Sequence, residues 1–259
     1  MSDNQEKWPT AITEVKPNRI MARGYLIDEM MGKISFAQAV CLILTGELPD
    51  GGKLLDAIFV SSIDHGASPP SALAARTVAS TGAELNAAVA AGILAINRFH
   101  GGAIEEGQRM FLAIAQKAEA SGGDEAAAVK AVLDEMKAKG RRASGFGHRL
   151  HTKDPRTAKL FGLAEELGLA GRHVRLARLT EEALAAQLGK PLPINVDGAI
   201  AALLCDLGIP PEIGNAFFMI ARVPGLVAHV HEEKTRMKPM RKIDPVGYVY
   251  DGPPERKIP

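Results

Sequence analysis

Ala, Leu, Ile and Met return at three- and four-residue steps along almost the whole chain, as in SFAQAVCLILTGELP and DEAAAVKAVLDEMKAKG. That spacing gathers apolar side chains on one face of a 3.6-residue helix. Aromatic residues make up only 5% of the chain and β-branched residues rarely alternate with polar ones, so a sheet-based core is excluded and an all-α chain is expected. Start and stop signals agree with this. Ser35 stands before an apolar run that Gly46 and Pro49 end, and Asp124 and Gly140 bracket a helix over 124–139 that follows one over 103–119. Thr81-Gly82 interrupts the small-residue stretch PPSALAARTVASTGAELNAAVAAGILAINRF, whose alanines and glycines allow close helix packing. Pro210 and Pro211 fit the first turn of a later helix, and Pro224-Gly225 is expected to kink it beside Arg222. The Pro- and Gly-rich tail RMKPMRKIDPVGYVYDGPPERKIP reads as an extended segment that leans on other structure.

Charge narrows the function classes. Lys and Arg number 31 against 30 Asp and Glu, with no long basic run, so a phosphate-tracking surface for nucleic acid is not expected. Cys41 and Cys205 lie inside apolar helical runs and read as buried free thiols, which fits a reducing compartment. MSDNQEKWPTAITEVKPNRI lacks the apolar core of a signal peptide, and no apolar stretch is expected to cross a bilayer. The expectation is a cytoplasmic protein with no membrane partner.

Cofactor chemistry finds no sequence support, because a P-loop, a dinucleotide fingerprint and a helical His-x-x-x-His pair are all missing. His229 and His231 in HVHE stand two apart on a helix and point in different directions, so no metal is expected. Four places remain where polar residues interrupt helical sequence beside glycine: SSIDHGASPPS with His65, RFHGGA with His100, SGFGHRLHTKDPR with His148, and PINVDGAIAALL with Asp197. Singly, each has an ordinary reading as a helix cap or a satisfied loop side chain. Together, three imidazoles and a carboxylate at helix boundaries, with glycines letting a ligand approach the backbone, point to one site.

These motifs, GFGHR…DPR, NVDG, HGGA and AR…G…AH…E, with RGYLIDEMM…SFAQAVCLILTGELP and VASTGAELNAAVAAGI, resemble the citrate synthase superfamily through nearly the whole chain. The short step from GELP to His65, and NVDG around the aspartate, look more like the compact citryl-CoA lyase module that ends ATP-citrate lyase. The resemblance implies a two-lobed helical fold, with residues 1–103 plus 205–259 as the larger domain and 104–204 as the smaller, and a homodimer or higher oligomer. It also implies the roles. Asp197 exchanges the α-proton of the CoA thioester, His100 bonds to the thioester oxygen, and His148 serves the citryl hydroxyl or the oxaloacetate carbonyl. His65, Arg156, Arg222 and Arg241 contact the dicarboxylate, with Arg241 donated across a dimer interface, and Gly145, Phe146 and Gly147 line the CoA arm. The expected reaction is cleavage of citryl-CoA, or a close analogue, to acetyl-CoA and oxaloacetate without metal. Condensation of the synthase type and a non-catalytic acyl-CoA-binding paralogue are the alternatives.

Two departures accompany the likeness. The segment between His148 and Asp-Pro-Arg is one residue shorter than in typical synthases, and His100 stands where the ATP-citrate lyase module has an aromatic residue. With no ATP-grasp or phosphohistidine region here, ATP-driven activation of citrate would need a separate partner.

Overall fold

The computed structural model describes residues 8–147, 154–241 and 251–257. In chain order its elements are β1 (Thr13–Lys16), β2 (Arg19–Ala22), β3 (Tyr25–Leu26), α1 (Ile27–Met30), α2 (Phe36–Thr45), α3 (Gly52–Ser61), α4 (Pro70–Ser80), α5 (Leu85–Leu94), α6 (Ala103–Ala120), α7 (Glu125–Ala138), α8 (Pro155–Glu166), α9 (Arg172–Leu188), α10 (Val196–Asp206) and α11 (Gly214–Arg236). The all-α expectation holds, as the helices carry the core. Ser35 closes a reciprocal capping box with Gln38, and Gly46 ends α2 in the left-handed region at φ 87°. Asp124 caps α7 through Ala127 N–H, as its position predicts.

A small antiparallel sheet, β1-β2-β3, is not foreseen by the helical period. Its two hairpins pair Lys16 with Arg19 and Ala22 with Tyr25, each across a two-residue turn. Asn18, Arg23 and Gly24 all have positive φ, the geometry that tight hairpin turns demand, so the turns dictate the pairing where the helical period fades.

Contacts divide the chain into two compact units, residues 1–65 with 96–225, and residues 66–95 with 226–259. They cut the chain at other points than the domain boundaries expected from the resemblance. The first unit is built around α10, whose Val196 and Gly198 to Cys205 are all buried. A helix apolar all round belongs inside a protein, and α10 packs against α6, α8 and α9. Leu54, Ile58, Ile104, Phe111, Leu160, Leu176, Ile200 and Phe217 belong to the same core. The second unit pairs α4 with α5 and adds Leu226 and Val230 from the end of α11.

Pro211 begins a short 3-10 turn that leads into α11, matching the expected helix start, and Pro224 lies inside α11. By length and composition Pro211–Arg236 is apolar enough to cross a bilayer, which corrects the expectation that no stretch is. Its apolar content has a packing reason: Phe217, Phe218, Ala221, Leu226 and Val230 are buried.

Candidate active site

Asp197 owes its place to the first turn of α10. It is not the helix cap, which is its ordinary reading. Asn195 takes that role, accepting from Asp197 N–H at 3.0 Å and Gly198 N–H at 3.1 Å, and this frees the Asp197 carboxylate for other work. The other end of the Asn195 amide donates to the Gly147 carbonyl at 2.9 Å. Asn195 N–H donates to the Gly145 carbonyl at 3.0 Å, and Gly147 N–H to the Pro193 carbonyl at 2.7 Å. The Gly-Phe-Gly run is thus stitched to the start of α10.

Its glycines answer to that stitching. A Cβ on Gly198 would lie 2.3 Å from the Gly145 carbonyl oxygen, and one on Gly145 would lie 2.5 Å from the Gly198 Cα. Two backbones cross where no side chain fits. Phe146 packs edge-on to Phe111, with centroids 6.3 Å apart.

Asp154, which in the sequence is simply part of a turn, is a buried organiser of the site. It caps α8 through Arg156 N–H, grips the Arg156 guanidinium through Nε at 3.0 Å and Nη2 at 2.8 Å, and accepts Val196 N–H at 3.2 Å. Burial by itself would raise its carboxyl, but the Arg156 fork and the two N–H groups outweigh it and hold the group below the ordinary range. Arg156, expected as a substrate fork, therefore spends its bidentate edge on Asp154, and its Nη1 reaches the Ser61 carbonyl at 3.4 Å.

Arg222 is buried in α11, 4.9 Å over the Phe218 ring and 3.9 Å from Asp64. Its Nε has no hydrogen-bond partner among the described residues, an unmet donor that suits a carboxylate. Burial lowers its pKa, with Asp64 and Asp197 acting the other way.

His100 is set by a tight turn in which it and Asn97 exchange both backbone hydrogen bonds at 2.8 Å, with Arg98 and Phe99 at the tip. Gly101, at φ 89°, leaves no room for a Cβ, which would meet Ile96 at 2.6 Å and Phe218 at 2.8 Å. The imidazole stands edge-on to Phe218 at 5.8 Å. Burial, then the Arg222 charge and His65, lower its pKa, so a neutral ring is favoured. His65 is exposed but close enough for its charge to be felt at His100.

Burial raises the Asp197 carboxyl above the usual carboxylate range, while Arg156 and Arg222 pull it back and Asp154 adds to the rise. Asp197, Arg156, Arg222, His100 and His65 all lie in the first unit, where Arg222 is felt both by Asp197 and by His100. His148 lies outside the described residues. Arg241 belongs to the second unit, where its Nε is 2.8 Å from Glu233. Among the described residues no group of three or more metal-ligating side chains comes together.

A cavity of about 650 Å³ opens beside the Gly-Phe-Gly segment, lined by Arg98, Phe99, Met110, Met136, Arg141, Arg142 and Ser144 among others. Phe99 is 96% exposed under the Arg98 guanidinium. Glu106 orders one wall by accepting from Ser144 Oγ at 2.6 Å and Arg98 Nε at 3.2 Å. Arg141 and Arg142 form no ion pair among the described residues. Sequence reasoning misses this cavity; its signal is the pair Arg141-Arg142 just ahead of the glycines.

The family model described as citrate synthase, C-terminal domain, matches residues 51–243. A putative citrate synthase 2 of Mycobacterium tuberculosis (strain ATCC 25618 / H37Rv) is 33% identical over 209 residues, 78% of this chain and 52% of that protein. The chain spans about half the length of the curated relatives it matches. The structure of citryl-CoA lyase from Hydrogenobacter thermophilus superposes with a TM-score of 0.88 at 42% identity, covering 97% of each chain. ATP citrate lyase from Methanothrix soehngenii, in complex with citrate and coenzyme A, shares the fold at a TM-score of 0.79 and 21% identity, over 98% of this chain and 43% of that one. With the family model covering most of its length, the chain belongs to the citrate synthase family.

Proposed function

We propose that the protein cleaves citryl-CoA, or a closely related 3-hydroxy-3-carboxyacyl-CoA, to acetyl-CoA and oxaloacetate. The observation that carries this reading is the arrangement at Asp197: Asn195 takes the α10 cap and leaves the Asp197 carboxylate for other work, its pKa raised by desolvation, while that of His100 is lowered. The end-to-end likeness to a citryl-CoA lyase supports it. In cleavage, a base takes the hydroxyl proton, the bond to the thioester α-carbon breaks, and its electron pair becomes the enolate of acetyl-CoA. His100 donates to the thioester oxygen and Asp197 delivers a proton to the α-carbon. A carboxyl raised by desolvation suits that last step, since the shift favours its protonated form. The base is assigned to His148.

Arg222, whose Nε has no partner among the described residues, would take one carboxylate of the substrate, with Arg156 and His65 beside it and Arg241 contributed by a second copy. The arginine-lined cavity at Gly145 to Gly147 suits the phosphates of CoA, with Phe99 offering a stacking face. The proposal includes the larger and smaller lobes at 1–103 with 205–259 and at 104–204, a homodimer or higher oligomer, no metal, and a cytoplasmic setting. Oxaloacetate release from citryl-CoA, followed through NADH oxidation by malate dehydrogenase, tests it. An absent signal with folded protein would end the lyase reading.

The identity to a putative citrate synthase favours condensation as a second reading. Free thiol appearing from acetyl-CoA plus oxaloacetate, without cleavage of citryl-CoA, would establish that instead.

A further inference from the structure

Glu233, near the end of α11, has a side chain with no solvent exposure. A carboxylate in that position needs cations, and it has two. Arg76 Nε from α4 donates to Oε2 at 2.7 Å, with its own side chain only 9% exposed. Arg241 Nε lies 2.8 Å from Oε1, and the Arg241 side chain is 38% exposed. The Arg241 contact is a charge contact without hydrogen-bond alignment, since Oε1 has no aligned donor among the described residues.

The three groups sum to one positive charge. Arg76 neutralises Glu233, and Arg241 keeps its own charge while being held through Nε. Among the described residues the Nη1/Nη2 edge, which can grip a carboxylate in two parallel hydrogen bonds, makes no hydrogen bond. The backbone around Arg241 is pinned as well. Met240 N–H donates to the Ser80 carbonyl at 2.7 Å with Met240 at φ 51°. A strained residue beside a buried carboxylate marks a place that the surrounding fold over-determines.

We infer that Glu233 is a positioning residue: with Arg76 as its counter-ion, it fixes the Arg241 guanidinium so that its outward edge is preset to receive a substrate carboxylate. The fixing rests on the triad alone, whereas the identity of the carboxylate rests on the function proposed above.

The experiment combines Glu233→Gln, Arg241→Ala and the double variant, each checked for fold by circular dichroism. Hydrogen exchange in the unliganded protein reads the fixing alone: Glu233→Gln is expected to speed exchange of the peptide covering 238–241 about tenfold, with α10 unchanged. Unchanged exchange there overturns the inference. Steady-state cleavage of citryl-CoA reads the consequence: Glu233→Gln is expected to raise KM about tenfold with a smaller change in kcat, and to add nothing once Arg241 is Ala. Effects that multiply in the double variant would mean Glu233 acts only on stability, and would overturn it too. If Glu233→Gln does not fold, Arg76→Lys, which keeps the counter-charge, takes its place in both measurements: faster exchange at 238–241 with a raised KM supports the inference, and unchanged exchange overturns it. Should the wild-type protein not cleave citryl-CoA, the functional reading falls, while the exchange measurement still decides whether Glu233 holds Arg241.

Discussion

Two carboxylates in this molecule each have two arginines nearby, and they are driven in opposite directions. Glu125, at the start of α7, receives Arg175 through Nε at 2.8 Å and Arg172 through Nε at 2.9 Å, and is held down at about 2, mainly by the Arg175 hydrogen bond. Asp197, at the start of α10, has Arg156 and Arg222 as neighbours and is pushed up. The difference lies in contact and burial. The arginines at Glu125 bond to it directly at a half-open surface, whereas Arg156 is taken by Asp154 and Arg222 faces Asp64. Nearby charge screens Asp197 without satisfying it. A fold can thus use the same residue types to tie a surface down or to keep an acid poised.

The largest test breaks the poised side. Asp197→Asn is expected to lower kcat for citryl-CoA cleavage by about 10²–10⁴, the range for a lost general acid-base. It should also stabilise the fold at neutral pH. A carboxyl whose folded pKa is raised costs nothing below its unfolded pKa, and its full cost is present above the folded one. A gain on the order of 1 kcal/mol, roughly 2–4 °C in Tm, is expected by calorimetry. The proton logic gives a matching pH signature. Cleavage needs Asp197 protonated and should fall as pH rises through its pKa, while α-proton exchange of acetyl-CoA needs the carboxylate and should rise through the same value.

Next comes the crossing that places Asp197. Gly198→Ala puts a methyl into the Gly145 carbonyl, so a loss of about 1–3 kcal/mol or more and of measurable activity is expected from denaturant unfolding and assay. Asp154→Asn sharpens the comparison more gently. It frees the Arg156 fork and removes a negative neighbour of Asp197, so the alkaline fall of cleavage should shift to lower pH, with stability reduced by about 1–3 kcal/mol for the weakened buried pair. A pH profile that does not move would separate Asp154 from the Asp197 environment.

The smallest effect belongs to the tied-down side. Glu125 is lowered in the fold, so its contribution is present above the ordinary glutamate pKa and fades as pH falls toward 2. Glu125→Gln should cost about 0.5–1 kcal/mol at pH 7, with the two melting curves converging near pH 2.

Much of the fold was legible because helical caps and periods are local. Ser35, Asp124 and Gly46 do what their positions predict. The sheet at 13–26 was missed because its signal is two short turns rather than a long period. In the candidate site, glycine beside His100 and Asp197 drew attention to these segments, but the partners did not show. Asp154 followed by Pro155 is a helix-start signature, which was available to predict its cap but not its grip on Arg156. Asn195 as the cap of α10 was likewise readable two residues ahead of Asp197. That the Gly-Phe-Gly run serves a backbone crossing with Gly198, fifty-odd positions away, was not readable at all.

By itself, then, the sequence determined the helical class, most helix boundaries and the family, since these rest on short-range periodicity and on residue identity. Only the tertiary structure decided which charges meet. It gave Arg156 to Asp154 and Arg241 to Glu233, and left Asp197 desolvated with no ion pair among the described residues, because desolvation and ion pairing depend on distances that residues far apart in the chain acquire only on folding.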